Sequence, residues 1–244
     1  MYPQNGLPGN NAPAMNGIPA GSAFGPMSES AFGSTAAPMT GSPVAGVPYI
    51  PATAGDDSGR VITSSLVRLS YAHLWEPKSV GGGTPKYAVS LIIPKSDTST
   101  LEAIRSKVQF AYEKGAEKLK GNSASVPPLS AIKVPLRDGD TDRPHDPAYA
   151  GAFFVNANSI VAPDIVDINC NRITNRSEVY SGCYARVSIS FYAYNVHGNR
   201  GIGCALNNVQ KIADGAPLGG GRPRAESDFS TAPASSNGSY DFLG

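Results

Sequence analysis

Between Glu178 and Lys211 the chain reads EVYSGCYARVSISFYAYNVHGNRGIGCALNNVQK. Successive side chains of a β-strand point to opposite faces. That rule places Cys183, Ala185, Val187, Ile189, Phe191 and Ala193 on one face, and Tyr184, Arg186, Ser188, Ser190, Tyr192 and Tyr194 on the other. The first set is a core face. The second carries three tyrosines and a cation among small hydroxyl residues. Aromatic rings stack on unpaired bases of any sequence, and cations meet the phosphates between them. The plainer alternative is a second face partly buried beneath a helix. Residues 183–194 would span roughly 40 Å when extended, against about 17–20 Å for an ordinary strand, so the strand is expected to bend as in a small barrel. Asn195–Gly201 is dense in turn formers and leads into Ile202, Cys204 and Leu206, which alternate with Gly201, Gly203 and Ala205. The pattern is a hairpin whose second strand is small on one face, leaving room for a ligand or another backbone.

Other chemistries find little support. His73, His145 and His197 lie far apart without metal-ligand spacing. No G-x-S-x-G, H-E-x-x-H or phosphate-loop frame occurs, and the glycines at 198, 201 and 203 do not fit a dinucleotide fingerprint. Asp138-Gly139-Asp140-Thr141-Asp142 resembles the start of a calcium loop, but Arg143 and Tyr149 stand where Gly and Glu are required, so a polar turn is expected. No catalytic residue, metal or cofactor is assigned: these patterns lend an enzyme no support, though residues scattered in sequence can still meet in a fold. Cys170, Cys183 and Cys204 are odd in number without a C-x-x-C pair; they suggest a reducing compartment and small core residues.

Composition divides the 244 residues into three parts. Residues 1–59 hold no Lys, Arg or His, and ten Gly and nine Pro, so a disordered Gly/Pro/Ala-rich arm is expected there. Residues 60–218 have the apolar content of one domain, and 219–244 return to Gly, Pro, Ser and Ala as a flexible, weakly acidic tail. All 20 Lys and Arg lie within 60–224 beside 13 Asp and Glu, leaving +7. The overall +1 thus hides a basic domain between two weakly acidic ends, which suits a polyanion only slightly better than ordinary solvated charge. No apolar run approaches a membrane span, and no secretory leader is expected.

Within the domain, strands are expected over residues 60–75, 86–93, 152–159 and 164–168, before the hairpin. Val67, Leu69 and Tyr71 share one face of the first strand; Phe154, Asn156 and Asn158 oppose Phe153, Val155 and Ala157 in the third. A helix is expected from about Ser99, where Ser99 and Glu102 form a capping-box pattern, to Gly121. The long connection 122–150 offers Lys133, Arg137 and Arg143 as a backbone clamp.

The runs LVRLSYAHLWEPK, PKYAVSLIIPKSD, PLRDGD, FFVNANS, EVYSGCYARVSISFYAYN and GIGCALNNVQK closely resemble a family of tailed-phage single-stranded DNA-binding proteins, long catalogued as a domain of unknown function. The resemblance covers about residues 60–218 and implies a mainly β protein, a five-stranded OB-fold barrel with one α-helix between disordered tails. It implies sequence-independent binding of single-stranded DNA in phage replication, recombination and repair, within the cytoplasm of the infected bacterium. Bases are then expected on Tyr184, Tyr192, Tyr194, Trp75 and Phe154, and phosphates on Arg68, Lys86, Arg186 and Arg200, as chemistry and alternation place them. The family's acidic C-terminal tail is reduced here to the pairs Asp228-Phe229 and Asp241-Phe242, the expected contact for replication or recombination proteins. Self-association stays open, as do a strand-annealing or RNA-binding role on the same barrel and a virion or assembly protein with a disordered arm.

Overall fold

The computed structural model describes residues 46–55, 58–79 and 82–218. Its elements in chain order are β1 (Thr53–Ala54), β2 (Arg60–Ile62), β3 (Arg68–Lys78), β4 (Lys86–Pro94), α1 (Thr98–Lys114), α2 (Ala116–Lys120), β5 (Leu136–Asp138), α3 (Gly139–Asp142), β6 (Ala152–Ser159), β7 (Asp164–Val166), β8 (Tyr184–Val196) and β9 (Asn199–Ala213). Five strands form a ring of pairings, β8-β3-β4-β6-β9, which returns to β8 through the β8–β9 hairpin. All neighbours are antiparallel except β6 and β9, which meet in parallel at Asn158 and Ala205. Beyond the Arg68–Tyr184 pair, the β3–β8 seam is closed by Leu69 N–H donating to Cys183 O (3.0 Å) and Ala185 N–H to Val67 O (3.0 Å). This ring is the five-stranded barrel expected above.

The alternation of the long strand holds in three dimensions. Ala185, Val187, Ile189, Phe191 and Ala193 are buried, and both cysteines of the hairpin lie in the same core. The 13-residue β8 carries two register shifts against β9, between Tyr184 and Ala185 and between Ser188 and Ile189. Such irregularities let a strand too long to stay flat follow a barrel. The turn is tighter than expected: only His197 and Gly198 separate the strands, with φ of 50° and 82°. Two left-handed residues are what the right-handed twist of a hairpin favours.

The helix differs in detail. Its N-cap is Asp97, whose carboxylate accepts from Thr100 N (3.2 Å) and from the Ser64 hydroxyl (2.6 Å), so Ser99 is not the cap. A charged acceptor two residues earlier satisfies the first turn and ties it to the barrel. Gly115 lies between α1 and α2, and a Cβ there would overlap that of Ala193, so the position takes glycine. Leu101, Ile104, Val108 and Ala111 of α1, with Leu119 of α2, join the core.

The folded body also begins before residue 60. Val47 is buried, Ile50 N–H donates to Ser65 Oγ (2.8 Å), Ser65 Oγ donates to Pro48 O (2.6 Å), and β1 pairs with β2. Composition misplaces this boundary because a short Pro-rich segment needs few apolar residues when its polar backbone is satisfied by a neighbour. A chain lacking residues 1–59 is expected to melt several degrees below one lacking only 1–45. Burying one valine stabilises by about 1.5–3 kcal/mol, and each kcal/mol shifts the midpoint of such a domain by about 2–4 °C. Equal midpoints in thermal melting would show that residues 46–59 add nothing to the barrel.

Candidate nucleic-acid interface

The outer face of β8 is built together with its neighbours. Tyr192 lies opposite Gly203 and Tyr194 opposite Gly201 on β9. A Cβ on Gly203 would come 2.7 Å from Tyr192 Cζ, and one on Gly201 2.8 Å from the Tyr194 hydroxyl oxygen. The Tyr192 ring therefore lies down over bare backbone, covering Gly203 across the strand pair, whereas Gly201 is met first by the Lys133 carbonyl oxygen, with only the hydroxyl of Tyr194 beside it. Tyr192 remains 46% exposed, which leaves aromatic surface open to solvent. Burial, and secondarily Cys204 and Tyr194, raise the Tyr192 phenol above its ordinary range, so the ring stays neutral at physiological pH. A neutral, fixed ring with an open face is what base stacking requires.

Cations frame these rings. Arg186 is half-buried on the same face, its Nε donating to Thr63 O (3.3 Å) and Nη2 to Pro51 O (3.4 Å). Arg68 donates to the carbonyls of Gly182 (3.0 Å) and Ala216, and its guanidinium lies 6.0 Å from the centroid of the Tyr184 ring. Arg60, which local alternation could not assign to this face, is brought there by β2, where it pairs with Ser190 and donates from Nε to Ser188 Oγ (3.0 Å). Among the described residues, Arg60, Arg68 and Arg186 form no ion pair with a carboxylate. Asn207 Nδ2 donates to Ser190 Oγ (2.9 Å). Ser188, beneath Arg60 and Asn207, is buried, so the alternative of a covered second face holds for the middle of β8 and fails at Tyr192.

Four expected contacts lie elsewhere. Phe154 is fully buried beneath Tyr149, with ring centroids 5.1 Å apart at 82°. It does point to the outer side of β6, away from Phe153 and Val155, but the connection 139–151 covers that side and Phe154 packs in a small separate cluster with Ile92, Tyr149 and Ala152. Trp75 packs against the main core and spends its indole N–H on Val179 O (3.2 Å). Arg200 pairs with Asn195, whose amide reaches Lys118 O (3.0 Å), and so belongs to the helix side of the hairpin; its Nε is buried without a partner. Lys86 is exposed opposite Lys78 at the mouth of the β3–β4 hairpin, and in the ring β4 is separated from β8 by β3. Asp228, Phe229, Asp241 and Phe242 lie outside the described residues.

Local chemistry elsewhere is structural. Lys95 bridges Asp138 (2.9 Å) and Asp140 (2.7 Å), while Arg137 pairs with Asp142 (2.6 Å), so basic side chains engage the acids of the calcium-like run. Burial pushes the Cys204 thiol well above its usual range, which suits a core residue and not a nucleophile. Among the described residues no helix is long and apolar enough to cross a membrane.

A family model described as "Enterobacter phage Enc34, ssDNA-binding protein" matches residues 59–241. Protein p50 of Acyrthosiphon pisum secondary endosymbiont phage 1 is 32% identical over 170 residues, which cover 67% of this chain and 89% of p50. A C-terminal truncation of the single-stranded DNA-binding protein from bacteriophage Enc34 superimposes with a TM-score of 0.56 at 23% identity, over 70% of this chain and 98% of the other. The structure of that phage protein in complex with ssDNA gives 0.53 at 23% identity, over 72% and 100%.

Proposed function

The chain belongs to the Enc34 family of phage ssDNA-binding proteins, and from that premise we propose that it binds single-stranded DNA on the outer face of β8 and β9 without strong sequence preference. The observation that carries this reading is Tyr192, laid over Gly203 with an open face, in line with Tyr194 and beside Arg186 and Arg60. A strand following β8 stacks its bases on the tyrosines, and its phosphates meet the arginines. Stacking on a ring and pairing with a phosphate read no base edge, which accounts for sequence tolerance. In this reading the protein coats exposed strands during phage replication, recombination and repair in the host cytoplasm, and it has no catalytic role.

The test is fluorescence anisotropy with labelled single- and double-stranded DNA, and single-stranded RNA, across a salt series. Log affinity for the DNA single strand is expected to fall with log salt at about −0.7 per phosphate neutralised. Arg60→Gln and Arg186→Gln should each flatten that slope by one contact's worth and weaken all sequences alike. Both variants should also lower the melting temperature modestly, because Arg186→Gln releases Pro51 and Thr63 and Arg60→Gln releases Ser188. Unchanged slopes in both variants would remove this face from the binding site, and a preference for duplex or RNA would replace the proposed ligand.

The tail gives a separate expectation. Residues 219–244 contain three acidic residues and two basic ones, Arg222 and Arg224. Deleting 225–244, which holds Glu226, Asp228 and Asp241 and no cation, should tighten single-strand binding slightly if the tail competes with DNA. Weaker binding by the truncated chain would exclude competition.

A further inference from the structure

Strand β3 breaks its alternation at Tyr71. The pairing with β4 passes from Ser70–Ser90 to His73–Ala88, so Tyr71 and Ala72 together oppose Val89. This bulge turns out of the core a residue whose spacing from Val67 and Leu69 pointed inward. Val67 and Leu69 are fully buried, whereas Tyr71 is 53% exposed. Its φ of 46° is in the left-handed region, which a tyrosine occupies only at a cost. Strain that presents an aromatic ring to water, where it adds little to the core, calls for a use of the ring.

Arg143 supplies one. Its guanidinium carbon lies 5.0 Å from the Tyr71 ring centroid, 4.5 Å from Tyr149 and 5.0 Å from Phe154. The rings hold the cation through their faces. That attraction consumes none of the five N–H donors of the guanidinium edge, which are the groups that fit a phosphate. Lys95 and Arg137, on the same side of the barrel, are paired with carboxylates; among the described residues Arg143 is in no ion pair. Tyr71 opens onto a cleft lined also by Arg68, Ser70, His73, Pro147 and Ser181. Asp146 contributes one carboxylate to the wall, held by the Ala148 N–H (3.1 Å), against the cation of Arg68.

We propose that Tyr71 and Arg143 form a second nucleotide subsite, in which a base stacks on the open face of Tyr71 and the adjoining phosphate is held by Arg143. The subsite rests on the reading that the ligand is a single nucleic-acid strand. Arg68 joins it to the tyrosine face, since this one side chain lines the cleft and lies over the Tyr184 ring. A strand leaving Tyr184 thus passes from β8 onto β3 without losing its cations, and the bound length exceeds what β8 alone can hold.

The test uses the full chain and oligo-dT of increasing length, about 4–16 nucleotides, the range of single OB folds. Tyr71→Gly removes the ring and accepts the left-handed φ, so its melting temperature should equal or exceed that of the parent. It should bind the longest oligomer about 5–150-fold more weakly, the equivalent of one lost stack, with a smaller loss on the shortest. Tyr71→Phe, which keeps the ring, should bind as the parent does, and Arg143→Gln should lower the salt slope on long oligomers. Parental affinity of Tyr71→Gly at every length overturns the subsite. Tyr192→Ala, measured alongside, separates the two sites: if it loses binding while Tyr71→Gly does not, the β8 face stands and the subsite falls. The reverse result keeps the subsite and removes the β8 face.

Discussion

Replacing Tyr192 by alanine is expected to weaken binding of single-stranded DNA roughly 5–150-fold while hardly changing stability. One base stacked on an aromatic side chain contributes about 1–3 kcal/mol, and that loss sets the range. The ring is 46% exposed and its main protein contact is the cross-strand cover of Gly203. A cross-strand pair is worth about 0.2–1 kcal/mol, so the melting midpoint should fall by no more than about 4 °C. Anisotropy and thermal melting on the same preparation decide the matter. A midpoint far below this, or an unchanged affinity, would mean that the ring serves the fold and not the ligand.

The neighbouring residue should fail in the opposite way. Phe191 is 5% exposed in the main core, opposite Cys204, and Phe→Ala in such a place costs about 3–5 kcal/mol. That is a large share of the 5–15 kcal/mol that holds a typical domain together. Phe191→Ala should therefore melt at least about 6 °C lower, and at temperatures where it is still folded it should bind DNA nearly as the parent does. A stable Phe191→Ala that no longer binds would put the binding face on the other side of β8. Because the two residues are adjacent, the paired result tests the register of the strand as well as the site.

Phe154 and Tyr71 show where one-dimensional pattern stops being informative. Alternation puts Phe154 on the outer side of β6, yet its exposure depends on Tyr149, which arrives from an irregular connection with no periodicity. Alternation puts Tyr71 on the side of Val67 and Leu69, but a bulge adds one residue to β3 and inverts the pattern from Tyr71 onward. Chemical type alone groups Trp75 and Arg200 with the tyrosines. The fold gives one an acceptor at Val179 O and places the other beside the helix end.

The sequence by itself determined the inward and outward faces of β8, the helix within 98–120, the barrel as a fold class and the resemblance that the family match bears out. These are local or repetitive properties: a period of two, a period of 3.6 and short runs of residues carry them without reference to distant partners. Only the tertiary structure decided that Tyr192 lies on Gly203, that Arg60 joins its face, that Phe154 is covered and that Arg143 sits among three rings. Arg60 and Ser188 are 128 residues apart in sequence, and Arg143 and Tyr71 are brought together across the barrel by a connection that has no repeat of its own. Contacts of that kind follow from strand order, bulges and loop paths, which are set by the packing of the whole chain and leave no periodic trace in any one segment.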